Sequence, residues 1–482
     1  MSTDGRQIAR AAMLVMALFV ASRALGLVRE MVTGALFGTS GELDAYVAAA
    51  RVPEMIFLIV AGGALGSAFI PTFAEHLAHD DRAGAWRLAS AIANLVLVVM
   101  TVAAALAALA APALLPMLAP GFDDPAQQAL TVSLLRTMLI STVIFGVSGV
   151  VMAALNAYQH FLLPALAASI YNLSIIGGAL LLGPRIGVRG MAAGVVVGAA
   201  LHLLVQVPAL FRYSARYVPT LGLRLAGVRE VGRLMAPRML GTAIAQINFV
   251  INNSLASRLG EGAVSAINYA WLLMLLPQGV FAQAVGTAAF PTFAVQVAQG
   301  RWAEMRSTLA ATWRAVFFLC LPATVGLILL GRPLVALLFE RGAFEASSTD
   351  AVAWALAFYA LGLIGHAGLE IVARAFYALH DTCTPVWVGG VAMGLNVALS
   401  LTLPGLFGHV GWPAHAGLAL ANSAATLVEL ALLLGLIRRR IGGLEGRRTL
   451  MALVKSGVAA AVMGAALLGW QAVWAGAGTL VV

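Results

Sequence analysis

The sequence predicts an all-α polytopic membrane protein: two six-helix lobes related by a pseudo-two-fold along the membrane normal, plus at least one extra C-terminal helix. Three observations carry that expectation. Composition comes first. Of 482 residues, 61% are hydrophobic and only 10% charged, with a mean hydropathy of +0.94. Soluble domains run at about 45–50% apolar and about 25% charged residues. A chain this apolar cannot bury its hydrophobic side chains and still clothe itself in polar ones, so the solvent must be a bilayer.

The second observation is the spacing of apolar runs. They fall at 8–36, 43–73, 86–117, 128–156, 162–183, 188–211, 229–257, 263–297, 304–331, 348–378, 384–404, 414–437 and 449–478. Thirteen runs of bilayer length imply thirteen helices. Several are longer than a straight crossing needs, which predicts tilt or kinks. Gly26, Gly34 and Pro53 are the kink candidates in the first two.

The third observation is an internal repeat. Gly66-Ser-Ala-Phe-Ile-Pro71-Thr-Phe-Ala74 matches Gly286-Thr-Ala-Ala-Phe-Pro291-Thr-Phe-Ala294 at an offset of 220 residues. A weaker echo pairs Ala157-Tyr-Gln-His160 and Pro164 with Tyr377-Ala-Leu-His380 and Pro385. Six helices per copy, an even number, give parallel repeats. The expected organisation is an N-lobe over 1–211, a basic linker over 212–228, a C-lobe over 229–437, and a basic loop with helix thirteen over 438–482. Gly62-x3-Gly66 and Gly194-x3-Gly198 read as close-packing motifs between helices.

Charge sets orientation and excludes several functions. Net charge is +9, from 29 basic and 20 acidic residues. Seventeen arginines, from Arg6 and Arg10 to Arg447 and Arg448, fall on the N-terminal side of the expected membrane, and five on the other. Basic loops stay inside, so the N-terminus is expected in the cytoplasm. The arginines are scattered, which is not a nucleic-acid footprint. Lys455 is the only lysine and follows no glycine-rich loop, so there is no Walker-type ATP site. Cys320 and Cys383 form neither a disulfide framework nor a zinc set. The first apolar run, interrupted by Arg23 and Arg29, reads as a membrane helix and not as a cleaved leader. No His-Glu-x2-His or Gly-x-Ser-x-Gly is present, and an enzyme is not expected.

Seven cations remain within the apolar runs: Arg23, Arg29, Arg51, Arg136, Arg238, Arg374 and Lys455. Charges at that depth face a cavity or a partner. Arg136, Arg238 and Lys455 can reach outward along their stems. Arg23 sits near the middle of a helix about 43 Å long and cannot. With Arg29, Glu30, Asp44, Arg51 and Glu54 it forms the densest polar group in the expected membrane. Two readings fit these residues: self-neutralisation, or a hydrated cavity whose guanidiniums receive a phosphate or diphosphate. Glu370 and Arg374 are spaced as an ion pair. Asn252, Asn396, Ser400 and Asn422 offer neutral oxygens, either for interhelical hydrogen bonds or for a small cation such as Na+.

Ser22-Arg23-Ala-Leu25-Gly26-Leu-Val-Arg29-Glu30, then Phe37-Gly38 and Leu43-Asp44-Ala45, resembles the MurJ (MviN) family of lipid II flippases. That family lies within the multidrug/oligosaccharidyl-lipid/polysaccharide flippase superfamily. Gly63-Ala-Leu-Gly-Ser-Ala-Phe-Ile-Pro71, Glu340-Arg-Gly-Ala-Phe344 and Asp381-Thr-Cys-Thr-Pro385 extend the likeness over roughly residues 8–470. The resemblance implies alternating access, with a cationic cavity that takes the diphosphate-sugar headgroup of a polyprenyl lipid. Arg23, Arg29 and Asp44 match the family's residues, and Arg51 falls where a basic residue is common.

The chain also departs from the family's pattern. Phe57 replaces an arginine, Ala61-Gly62-Gly63 lacks a carboxylate, and Tyr269-Ala-Trp271-Leu272 carries no charge. Asn252 and Ser400 stand where some relatives place carboxylates for sodium. The resemblance implies fourteen helices, one more than the apolar runs supply. Its expected partners are a lipid-linked glycan, membrane lipids and cell-wall synthesis proteins, around a monomer without cofactor that couples to Na+ or H+. A flippase for another lipid-linked oligosaccharide, a cation-coupled multidrug exporter and a non-transporting cell-wall scaffold are the competing readings.

Overall fold

The structure is a computed structural model that describes residues 21–61 and 64–478. The expectations that fall on Arg6, Arg10, Gly62 and Gly63 lie outside the described residues, as does the side chain of Arg238. Among the described residues there is no strand. The chain forms two compact units. One runs to Gly262 and includes Arg341–Phe344; the other comprises Ala263–Glu340 and everything from Glu345 onward.

In the first unit α1 covers 21–37. It is followed by α2 (Gly41–Val60), α3 (Ala64–Ala78), α4 (Arg82–Leu118), α5 (Pro125–Ala157), α6 (Leu162–Ile186), α7 (Arg189–Leu204), α8 (Val207–Arg212) and α9 (Ala226–Ser257). The second unit has α10 (Ala263–Pro277), a π-helical turn (Gln278–Gln283), α11 (Ala284–Ala298), α12 (Trp302–Phe339), α13 (Ala346–Ala378), α14 (Cys383–Val410), α15 (Ala414–Ile441) and α16 (Gly446–Gly478). With α2–α3, α7–α8 and α10–α11 each counted as one passage, the described residues make thirteen, as the apolar runs predict. Ten are long and apolar enough to cross a membrane by length and composition. The chain is a multi-pass membrane protein.

Local sequence explains the helix ends. Ser40 accepts the Leu43 N–H at 3.3 Å, and Asp81 accepts that of Gly84 at 2.8 Å. Asp124 accepts from Ala126 and Gln127, with Pro125 at the first helical position. Such caps satisfy amides the helix itself cannot. Gly411 and Gly442 close α14 and α15 in the left-handed region, where a side chain would be strained.

The repeat is visible in the elements. α4 begins at Arg82 and α12 at Trp302, 220 residues later. Pro71 lies within α3 and Pro291 within α11. The second passage of each copy is also interrupted before that proline: α2 ends at Val60 and α3 starts at Ala64, while the counterpart has its π turn at Gln278–Gln283. Pro53 sits inside α2, and the interruption falls a turn or two later, beside Ala61. α1 stays helical past Gly26 and Gly34.

Small residues set the packing inside each unit. A Cβ on Gly178 would lie 2.4 Å from the Gly190 carbonyl oxygen, and one on Gly194 would lie 2.7 Å from that of Ser174, so α6 and α7 touch backbone to backbone. In the second unit a Cβ on Gly362 would meet Ser423 Oγ at 2.5 Å. α5 and α13 are the most buried passages. The basic linker after α8 is ordered along α4: Val218 N–H donates to Ser90 Oγ at 3.1 Å and Asn94 Nδ2 to the Thr220 carbonyl at 2.9 Å. Tyr213 stacks on Tyr158 at 4.3 Å.

Candidate functional site

The polar residues of α1 and α2 gather within the first unit. Arg29 donates from Nη2 and Nε to Glu30 Oε1, at 2.6 and 3.2 Å, and from Nη1 to Asn172 Oδ1 of α6 at 3.1 Å. Neighbouring residues on a helix project about 100° apart, yet these two long side chains curl together. Asn172 is anchored by its own Nδ2, which donates to the Ala168 carbonyl at 3.2 Å. Three of the five guanidinium N–H donors are thus engaged, and two remain for a ligand.

Around this core, Tyr46 of α2 and Tyr171 of α6 lie in the field of both Arg29 and Glu54. Arg51 pairs with Glu54 at 3.4 Å. The four charges cancel in two pairs. Arg23 is exposed on α1, six residues before Arg29, and makes no ion pair among the described residues. Phe57 packs on Phe145 at 5.5 Å, and Phe145 meets Tyr171 edge-on at 4.9 Å. An aromatic wall therefore adjoins the charges.

Asp44 has a different environment. It is 1% exposed, and its Oδ2 accepts the Gly262 N–H at 2.7 Å. Gly41 N–H similarly donates to Glu261 at 2.7 Å. Both contacts tie the start of α2 to the loop after α9. The Glu340-to-Phe344 motif contributes here too: Ala343 N–H donates to the Ala35 carbonyl of α1 at 2.8 Å. A Cβ on Gly342 would sit 2.2 Å from that same oxygen, so only glycine, here at φ +61°, permits the approach.

In the second unit Glu370 and Arg374 do form the ion pair their spacing predicts. The guanidinium lies over Gly286 of the repeated motif, where a Cβ would come 3.0 Å from Nη1. One turn away, His366 Nε2 meets Asn422 Oδ1 at 3.1 Å and Trp271 packs edge-on against the imidazole at 5.2 Å.

Of the four neutral candidates, Asn396 and Ser400 share one face of α14, each 2% exposed. Among the described residues, neither amide atom of Asn396 nor Oγ of Ser400 finds a partner. Asn422 is on α15, which packs on α14. Asn252 belongs to the first unit and donates to Asn248 Oδ1 at 2.6 Å. Among the described residues, no three His, Cys, Asp or Glu side chains converge to hold a metal. Arg136 reaches outward and caps the Ala108 carbonyl at 3.0 Å.

The Asp381-to-Pro385 motif stands between α13 and α14. Thr384 donates to Asp381 from Oγ1 at 2.5 Å and from its N–H at 2.9 Å, and Arg440 completes a salt bridge. The two Thr384 hydrogen bonds, then the nearby guanidinium, hold the Asp381 carboxyl below the usual aspartate range. Sequence reasoning missed Tyr46, Tyr171, Asn172, His366 and Glu429. Asn172 and Glu429 were legible as lone polar residues in apolar runs; the tyrosines and His366 had no such signal.

These units define a class: a polytopic transporter fold whose first unit carries a paired-arginine polar cluster. A solved structure described as lipid II flippase MurJ in an inward closed conformation superimposes with TM-score 0.78 at 24% identity, over 93% of this chain and 92% of that one. An inward-facing MATE family transporter of the MOP superfamily gives 0.72 at 15% identity, over 90% and 99%. A sequence model of the family described as lipid II flippase MurJ matches residues 33–482. The lipid II flippase MurJ of Burkholderia cenocepacia is 33% identical over 442 residues, covering 90% of this chain and 84% of its own length. The probable lipid II flippase MurJ of Vibrio cholerae is 28% identical over 480 residues, covering 97% and 90%. The chain belongs to the lipid II flippase MurJ family.

Proposed function

We propose that the protein carries lipid II, a polyprenyl-diphosphate-linked peptidoglycan precursor, from the inner to the outer leaflet of the bacterial inner membrane by alternating access. The observation that carries this reading is Arg29, held between Glu30 and Asn172 with donors to spare. A guanidinium fixed in this way presents a planar fork to a diphosphate, and Arg23 adds a further positive charge on α1. Phe57, Phe145 and Tyr171 offer apolar faces to the sugar. Asp44 and Arg51 shape α2 around the group. The N-terminus is cytoplasmic. The protein is a monomeric transporter and not a catalyst, works without a cofactor, and draws on an ion gradient. Cell-wall synthesis proteins consume what it delivers.

The test replaces Arg23 and Arg29 together by alanine in cells depleted of their own lipid II flippase. Growth should be lost while the protein still reaches the membrane in normal amount. Normal growth with both arginines gone refutes the reading.

A further inference from the structure

The helices of the second unit carry four carboxylates: Glu304, Asp350, Glu370 and Glu429. Three have an arginine: Arg301 for Glu304, Arg332 for Asp350 and Arg374 for Glu370. Glu429 has none. Among the described residues no cation or hydrogen-bond donor reaches it. It lies 12 residues before the end of α15 at Ile441, about 18 Å into the helix. An unpaired carboxylate at such depth is costly, and in membrane proteins it marks an ion or proton pathway.

The packing around it has been left open on one side. Oε1 of Glu429 faces α14 at Gly389, where even a methyl group would come within 3.3 Å. α14 and α15 are antiparallel across the turn at 411–413. Seven residues along each helix return to the same face, so Asn396 stands level with Asn422, and Ser400 follows one turn further. Asn396 and Ser400 are buried and, among the described residues, find no hydrogen-bond partner. Buried polar atoms of this kind are ordinarily satisfied by water. Asn422 continues the line to His366 of α13 at 3.1 Å.

α15 packs on α10, α12, α13 and α14. α13 carries His366, the Glu370–Arg374 pair, Asp350 held by Arg332, and Tyr359 and Tyr377. α14 has Cys383 and His409, both near its ends; α10 has Tyr269; and α12 has Cys320, Arg306, Arg314 held by Glu445 at 2.9 Å, Arg332 paired with Asp350, and Glu304 paired with Arg301. Nothing in that set neutralises Glu429.

We propose that Glu429 is a proton-binding site: its carboxylate takes up one proton from water, forming an O–H bond, and releases it again during the transport cycle, with Asn396, Ser400, Asn422 and His366 lining the hydrated route. The link to transport rests on the flippase reading above; the proton site itself does not.

The experiment labels the purified full-length protein in lipid nanodiscs with dicyclohexylcarbodiimide, which reacts with protonated carboxyls, from about pH 5 to about pH 9. Adducts are located by peptide mass spectrometry. Glu429 should be labelled along a one-proton titration curve and Glu370 should stay unlabelled. Absence of an adduct at Glu429 at every pH, or labelling that ignores pH, overturns the proton site. In vesicles, E429Q should lose the response of lipid translocation to an imposed proton gradient, and E429D should retain it. An E429Q protein that responds like wild type overturns the coupling. If wild-type protein moves no lipid II at all, the flippase reading fails while the labelling result still decides the proton site.

Discussion

The two copies of the repeat share an architecture from their second passage onward but differ in electrostatics, and α9, the helix that opens the second copy, belongs to the first unit. Both copies carry a helical proline at the end of their second passage, both start the following helix 220 residues apart, and both pack helices through glycines, at α6–α7 in one and α13–α15 in the other. The first unit then places Arg23, Arg29, Glu30, Arg51 and Glu54 on α1 and α2, steadied by Asn172. The second places the Glu370–Arg374 pair on α13, a histidine against a tryptophan, and the glutamate of α15. The difference teaches that small residues and breaks specify the scaffold, while a few polar substitutions in it decide what each copy can bind.

The largest expected effect tests the shared scaffold. Gly178→Leu should abolish folded protein, because its side chain must displace the Gly190 backbone, whereas Gly177→Leu beside it, with nothing within 4 Å, should express normally. Gly362→Leu should fail in the same way in the second unit. Detergent-stable yield by size-exclusion chromatography reads all three. Equal yields for Gly177→Leu and Gly178→Leu would refute the backbone-contact account.

The next effect separates the two sets of charges. Arg374→Met should destabilise the second unit by about 3 kcal/mol, since it strands Glu370, and the double change with Glu370→Met should recover most of that loss. Thermal unfolding in detergent measures it. The first unit should not behave this way: removing Arg29 and Glu30 together should leave stability near wild type and still stop growth in flippase-depleted cells. Restored growth in that double variant would erase the functional contrast between the units.

A smaller effect is expected at Asn172. Losing one hydrogen bond to a charged group costs about 1.5 kcal/mol, so Asn172→Ala should slow lipid translocation roughly tenfold in vesicles without lowering yield. An unchanged rate would mean that Arg29 needs no steadying from α6.

The smallest effect is at the membrane edge of the second unit. The Asp381 carboxyl is held below its ordinary value by Thr384 and Arg440. Its contribution is therefore complete above the unfolded value, about 3.9, and is lost as pH falls through the lower folded value. Melting temperature should decline slightly below about pH 4, and Asp381→Asn should remove that part of the decline. An unchanged acid limb in the variant would rule out this role.

Thirteen passages, the repeat, the Glu370–Arg374 pair and the prominence of Arg29 were readable from composition and spacing, because hydrophobic period and i,i+4 geometry are local. The sequence by itself determined that the chain must live in a bilayer, where it turns, and which few charges would be expensive there. Only the tertiary structure decided how those charges are met. Asn172 reaches Arg29 across 143 positions and the Gly262 amide reaches Asp44 across 218. Phe57 turned out to face an aromatic neighbour, and Glu429 meets no cation among the described residues. Such partners are far apart in the chain and near in space, so no periodicity announces them; packing alone sets which side chains share a dielectric.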